Sequence, residues 1–347
     1  MNNQLFEKFE FPEAISLKTR VVMSAMSRGF ADADHCATPA MKDYYEARAR
    51  GGVGLILTEG VVIHQSGDGY NSVPHIATQK QTDSWRPVVQ AVHDHDTKIF
   101  CQLWHCGRIS HPDYTGGIPP VSSTDQVAEG INRQNNKPFG TPKALDKAGI
   151  RQVHDYYITA AENSINAGFD GFQLHLGHGY LADSFFDARI NTRTDEYGGS
   201  IENRCRFALE LIEKTMSRFT SRQVAVRISP SRDMGGIYNW PDMEEMLNYL
   251  IPRIYETGVR ILDISCARAD YYQTSGAVIR NVRPLWKGVL IGGASLTVEQ
   301  AQREISESHL DLVTFGRSLI ANPDLVEKSK RNQPLIEFDT SMLSELK

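Results

Sequence analysis

The sequence has no long hydrophobic run. Its longest apolar stretches, such as 53–57 and 61–63, fall far short of the ~20 residues that a membrane-spanning helix requires. It is poor in cysteine: Cys36, Cys101, Cys106, Cys205 and Cys266 are odd in number and form no Cys-x-x-Cys pair. That pattern argues against a disulfide framework or a zinc knuckle and leads us to expect a reducing, cytoplasmic compartment. It has no basic excess either. Lys and Arg number 37 against 42 Asp and Glu, a net charge of −5, and no basic stripe offers an electrostatic footprint for nucleic acid. The first twelve residues lack the apolar core of a signal peptide and carry Glu7, Lys8 and Glu10. Internal repeats, low-complexity tracts and a linker-like change of composition are also missing, so neither nucleic acid nor membrane is an expected partner.

What the chain does have is an alternating pattern. Short apolar, β-branched runs occur at 20–26, 53–60, 99–105, 171–176, 224–229, 261–265, 289–293 and 312–316. They are continuous in hydrophobicity instead of alternating, as parallel strands buried on both faces are. Between them lie helical periodicities. In 151–167 the residues Val153, Tyr157, Ala160, Ala161 and Ile165 share one face, and Gly168 marks a stop. Ser200 reads as an N-cap, Thr297 with Gln300 as a capping box, and Asp242 with Glu245 as a looser version of one. Pro252 is expected to kink or divide the helix that contains it.

Eight strand–helix alternations predict one (β/α)₈ barrel spanning residues 1–347, in preference to a two-domain α/β protein. Such barrels take typically ~250 residues, which leaves roughly 100 to place elsewhere. Much of the excess is 106–150, rich in Pro, Gly, Ser and Asn, which follows the third strand and is read as a lid or site wall.

Barrel enzymes build their sites at the C-terminal ends of the strands. Here those ends carry Ser27, Glu59, Gly60, residues 102–105, residues 175–180, Arg227 and the glycine-bearing turns at 292–293 and 316–317. Turns after strands seven and eight commonly hold phosphate, and Arg317 adds a cation. Taken singly each residue has a plain alternative. Gly292–Gly293 suits any tight turn, Trp104 and Tyr180 suit a core, and Arg227 suits a buried ion pair. His175 and His178 could ligate a metal, but no nearby carboxylate or third histidine completes a set.

Longer motifs go further. Gln173-Leu-His-Leu-Gly-His-Gly-Tyr180, the run from Asn191 through Tyr197-Gly-Gly-Ser200 to Arg204, Gln102-Leu-Trp-His105, Val226-Arg-Ile-Ser-Pro230 and Phe315-Gly-Arg317 resemble, in order, the Old Yellow Enzyme family. Trp104 resembles the tryptophan of the branch that contains pentaerythritol tetranitrate reductase and N-ethylmaleimide reductase.

The resemblance implies a barrel with non-covalently bound FMN, reduced by NADPH or NADH and reoxidised by small activated alkenes. It places Gln102 and Arg227 at the polar side of the flavin ring, and Ala25, Met26, Ser27 and Gly60 along it. Gly293, Ala294, Gly316 and Arg317 fall at its phosphate. His175 and His178 are implied as donors to the substrate's activating oxygen, Tyr180 as proton donor and Trp104 as a wall that narrows the substrate site. An acceptor that is a nitro compound or nitrate ester is the alternative, and the resemblance leaves a monomer or a homo-oligomer equally open. Four features depart from the family pattern. Ser24-Ala25 stands for Ala-Pro, Ser27 for Thr or Cys, Leu176-Gly177 for Gly-Ala, and residues 338–347 lack a tyrosine-bearing tail.

Overall fold

The computed structural model describes residues 4–233, 236–266 and 269–347; Met1–Asn3, part of the segment read for a signal peptide, lie outside the described residues. Eight parallel strands close into a barrel in chain order: Val21–Met23, Leu55–Val62, Lys98–Trp104, Gly171–His175, Val224–Arg227, Ile261–Ser265, Val289–Gly293 and Leu312–Phe315. The last pairs with the first, with Thr314 opposite Val22. Each of the eight expected runs is one of these strands. The first is shorter than its run because the chain leaves the ladder after Met23. Backbone amides of Arg28 and Gly29 turn instead to the Glu59 carboxylate, at 3.0 and 3.1 Å.

Outer helices cover the strands with apolar stripes, among them Gln79–His93, Lys147–Ala167, Ile201–Met216 and Met243–Glu256. Ser200 caps its helix by accepting from the Asn203 amide, and the Thr297–Gln300 capping box is formed in both directions. Gly168 ends its helix in a left-handed conformation, φ 101°. That helix begins a turn earlier than its periodicity suggests, at Lys147, with Asp146 as cap; Gly149 inside the first turn hides the pattern.

Two local expectations are corrected. Asp242 makes no side-chain cap, because its carboxylate is taken by the Arg204 guanidinium. Pro252 does not divide its helix, which runs unbroken over Met243–Glu256. The one lost amide donor is outweighed by Met246, Leu247, Leu250, Ile251 and Ile254, all buried on the barrel-facing side.

The barrel interior is layered. Val22, Leu55, Leu57, Phe100, Ala225, Ile261, Val289, Ile291 and Leu312 form an apolar floor, and the N-terminal hairpin of Phe9–Phe11 and Ile15–Leu17 packs against it from below. Above that floor, one inward step further along the strands, the interior side chains turn polar. Residues 106–150 form four two-residue strands and pack on the 64–78 segment, through Asn132 Nδ2 to the Gly69 carbonyl and Tyr114 hydroxyl to Asn71.

Candidate active site

The polar layer is a connected chain of donors and acceptors. Gln102 Nε2 donates to Gln173 Oε1 at 2.7 Å, and Gln173 Nε2 donates to Asp263 Oδ2 at 2.9 Å. Ser265 Oγ donates to the other oxygen of Asp263 and lies 3.0 Å from Thr314 Oγ1. Arg227 adjoins this chain. Its Nη2 donates to the Ser265 carbonyl at 3.2 Å, and its Nε lies 3.8 Å from Asp263 Oδ2 without a hydrogen bond.

His175 ends the fourth strand, and the chain then turns sharply so that His178 and Tyr180 return beside it. Ring centroids of His175 lie 5.2 Å from His178 and 5.3 Å from Tyr180. The turn needs His178 in the left-handed region, φ 60°, followed by Gly179 at 80°. Two hydrogen bonds hold it. The His178 amide donates to Ser229 Oγ at 2.5 Å, and the Gly179 amide to Asp183 Oδ2 at 2.5 Å. Asp183 is itself fixed by Arg232 and by Trp240 Nε1. Gly177 explains one departure from the expected motif: a β-carbon there would lie 2.4 Å from Ser229 Oγ, the group that anchors His178.

Electrostatics keeps both imidazoles neutral. Burial, then the Arg227 charge, pushes His175 and His178 well below the usual histidine range. The Gly177 amide faces His175 Nδ1 at 3.4 Å, which leaves Nε2 as the N–H of His175; neither ring nitrogen of His178 has a partner. Burial raises the Tyr180 phenol, so it stays protonated.

Tyr180 belongs to an aromatic wall. Trp104 stands between Tyr70 and Tyr180, at 4.9 and 5.0 Å between centroids, and the two phenol oxygens are 2.8 Å apart. The sequence reading missed Tyr70. It is carried on the 64–78 segment, where the Asp68 carboxylate accepts the amides of Gly69 and Tyr70 and the ring of His75. No spacing motif announces it; its only signal is an aromatic shortly after the second strand.

The remaining expected residues gather along the rim. Ser27 is exposed, Ala25 and Met26 half-buried, and Met26 approaches Gly316, where a β-carbon would lie 3.1 Å from its sulfur. Gly60 sits against Trp104 instead of being free: a β-carbon would meet the indole at 2.4 Å. Gly293 and Ala294 end the seventh strand beside Gly316 and Arg317, and Arg317 Nη2 donates to Ser295 Oγ at 2.6 Å. Gly293 is required sterically, since a β-carbon would come within 2.5 Å of Thr314.

Residues 4–335 match the NADH:flavin oxidoreductase / NADH oxidase family. The chain belongs to that family, the Old Yellow Enzymes. It is similar to 12-oxophytodienoate reductase 7 of Oryza sativa subsp. japonica, 35% identical over 96% of this chain and 89% of the relative. It is 34% identical to the putative 12-oxophytodienoate reductase-like protein 1 of Arabidopsis thaliana, over 92% and 98% of the two chains. The old yellow enzyme homologue from Zymomonas mobilis superposes with a TM-score of 0.91 at 31% identity, covering 98% of this chain and 96% of that one. As a member of this family the protein is an FMN-dependent oxidoreductase.

The residues described above carry chemistry that fits that cofactor. Arg227 carries a buried Nε without a partner, and Gln102 still has its carbonyl oxygen and one N–H to offer an isoalloxazine edge. Gly293, Gly316 and Arg317 form a small-residue turn beside a cation, suited to a phosphate. Two candidate cation clusters among the described residues, His35–Asp68–His75 and Glu304–Glu307–His309, include neither His175 nor His178.

Proposed function

We propose that the protein reduces activated C=C bonds in small α,β-unsaturated carbonyl compounds, maleimides or nitroalkenes, with NADPH or NADH as electron source. The observation that carries this reading is the clustering of two neutral imidazoles and one protonated phenol, with the His175 ring centroid 5.2 Å from that of His178 and 5.3 Å from that of Tyr180. Bound FMN supplies the hydride acceptor and donor between nicotinamide and alkene. The chain supplies everything polar. His175 Nε2–H and His178 hold the activating oxygen, and their hydrogen bonds strengthen as enolate-like charge develops there. Burial, and then the Arg227 charge, keeps both rings unprotonated, so they act as donors and not as acids. Arg227 and Gln102 would hold the polar edge of the ring system, Ala25, Met26, Ser27 and Gly60 would line it, and Gly293, Ala294, Gly316 and Arg317 would hold its phosphate.

Tyr180 delivers the proton to the α-carbon. Burial raises this phenol and so makes its phenolate costly; the Tyr70 hydroxyl, 2.8 Å away, is placed to donate to the Tyr180 oxygen as the proton leaves. Trp104 narrows the space in front of Tyr180 and favours compact substrates. Residues 106–150 wall this side of the barrel and keep water from it. The rice relatives, named for an oxo-dienoate, support an alkene activated by a carbonyl. Reduction of nitro compounds or nitrate esters is the second reading, favoured by the indole at position 104.

The test is an anaerobic titration of the yellow protein with NADPH or NADH followed by 2-cyclohexenone. Bleaching by the nicotinamide and recovery of colour with the enone supports alkene reduction, while bleaching without recovery moves the assignment to nitro acceptors. Tyr180→Phe is expected to leave flavin reduction nearly intact and to slow enone reduction by a factor of roughly 10²–10⁴, the usual worth of a positioned proton donor. Equal losses in both half-reactions would rule out the proton-donor role.

A further inference from the structure

We propose that Asp263 is a positioning residue that orients Gln102 and offsets the charge of Arg227, and so sets how strongly the site prefers reduced over oxidised FMN. The inference rests on the flavin reading above.

Asp263 is fully buried in the middle of the sixth strand, with Arg227 opposite it in the adjacent strand. An isolated carboxylate at such depth is costly, and this one is met by two side-chain donors and a nearby cation. Gln173 Nε2 reaches one oxygen and Ser265 Oγ the other, and the Arg227 guanidinium lies 3.8 Å away. Two donors and a neighbouring guanidinium around an acceptor-only group make the surroundings that suit an ionised carboxylate.

Two consequences follow from that charge. The first is directional. Because Asp263 accepts from Gln173 Nε2, the Gln173 amide can stand only one way, with Oε1 toward Gln102. Gln102 must then spend one N–H on Gln173, and its carbonyl and second N–H are left to meet a flavin edge. A single buried anion thus fixes an amide two residues removed from it. The second consequence is electrostatic. Flavin reduction gathers negative charge near the ring's pyrimidine edge, where a fixed cation stabilises it. Asp263 neutralises part of Arg227, so the site holds reduced FMN less tightly than the arginine alone would allow. Ser265 and Thr314 extend the network to the eighth strand and keep the carboxylate from turning away.

The measurement is the ratio of dissociation constants for oxidised and two-electron-reduced FMN, obtained from the midpoint potential of the bound cofactor by equilibrium dye titration. Asp263→Asn is isosteric and removes the negative charge. The ratio is expected to move toward reduced FMN by about tenfold, the order of effect of a nearby unit charge at an effective dielectric of about 20. Gln173→Leu cuts the amide relay and also strips one donor from Asp263. It is expected to weaken both redox states of FMN and to move the ratio a few-fold toward oxidised FMN. Ser265→Ala strips a donor from Asp263, leaves the carboxylate less compensated and is expected to shift the ratio a few-fold the opposite way; it reads the sign should the asparagine variant not accumulate. Wild-type protein that takes up no FMN would overturn the flavin reading. Wild-type protein that binds FMN, with Asp263→Asn and Ser265→Ala both at the wild-type ratio, would overturn only the role of Asp263.

Discussion

The two levels of the barrel interior are made by the same strands and differ in almost everything else. Phe100, Ala225, Ile261 and Leu312 lie in the floor. Two residues further along each strand stand Gln102, Arg227, Asp263 and Thr314, all buried. Side chains on a strand return to the same face every second residue, so this is one step up the barrel axis. The floor gains its free energy from apolar area removed from water and from contacts that any well-fitting hydrophobe could make. The level above spends free energy on burying amides and charges. It recovers that cost only because Gln102, Gln173, Asp263 and Ser265 satisfy one another. Stability and chemistry are thereby separated along the axis of a single sheet.

The comparison breaks most sharply at Phe100, whose ring fills the floor above the bare backbone of Gly171. Phe100→Ala is expected to destabilise the fold by about 3–5 kcal/mol, read as a lowered urea midpoint. The midpoint potential of the FMN that remains bound should stay where it was. A shifted potential would show that the floor and the polar level are mechanically coupled and that the separation is only one of composition.

How far the sequence discloses these levels depends on the element. All eight strands are legible, because continuous apolar runs of this length separated by helical periodicity have few other meanings. The levels inside them are not. A strand buried on both faces has no polar side to mark which residues point inward, so Phe100 and Cys101 look alike although they face opposite ways. Gln102, Arg227, His175, His178 and Tyr180 are legible through motifs that the family shares. Asp263 and Tyr70 lie in no such motif. Asp263 does leave one trace, a carboxylate in the middle of an otherwise apolar run, and a buried charge in a barrel strand needs a partner. Pro252 and Asp242 mislead for the opposite reason: their local chemistry is clear, but tertiary packing and Arg204 outbid it.

The wall beside the polar level sharpens the comparison from the substrate side. Gly60 is in van der Waals conflict with any β-carbon, the nearest indole atom being 2.4 Å away. Gly60→Ala should push Trp104 toward Tyr180 at a cost of about 1–3 kcal/mol in overpacking. Across a series of enones of increasing β-substituent size, it should lower relative rates for the larger members. Trp104→Ala should raise them. Parallel changes in both variants would mean that the indole does not set substrate size.

The smallest effect belongs to the rim, where Glu59 holds the amides of Arg28 and Gly29 and thus the chain that carries Ala25, Met26 and Ser27. Burial raises its pKa to about 7, against the pull of those two amides and of the Arg28 charge. The folded state therefore favours the protonated acid more than the unfolded chain does. That contribution is fully present below the ordinary carboxylate pKa and is lost as pH rises through about 7. It amounts to on the order of 3 kcal/mol at most. Glu59→Gln keeps an acceptor for the amides and removes the titration, so groups shared by both proteins cancel in the difference between them. From pH 5 to pH 8 the stability of the variant relative to wild type should rise by one to a few kcal/mol, an order of magnitude set by linkage. Urea denaturation at the two pH values measures it. A constant difference would mean that Glu59 stays ionised throughout, and that two backbone amides suffice to hold a buried carboxylate charged at this rim.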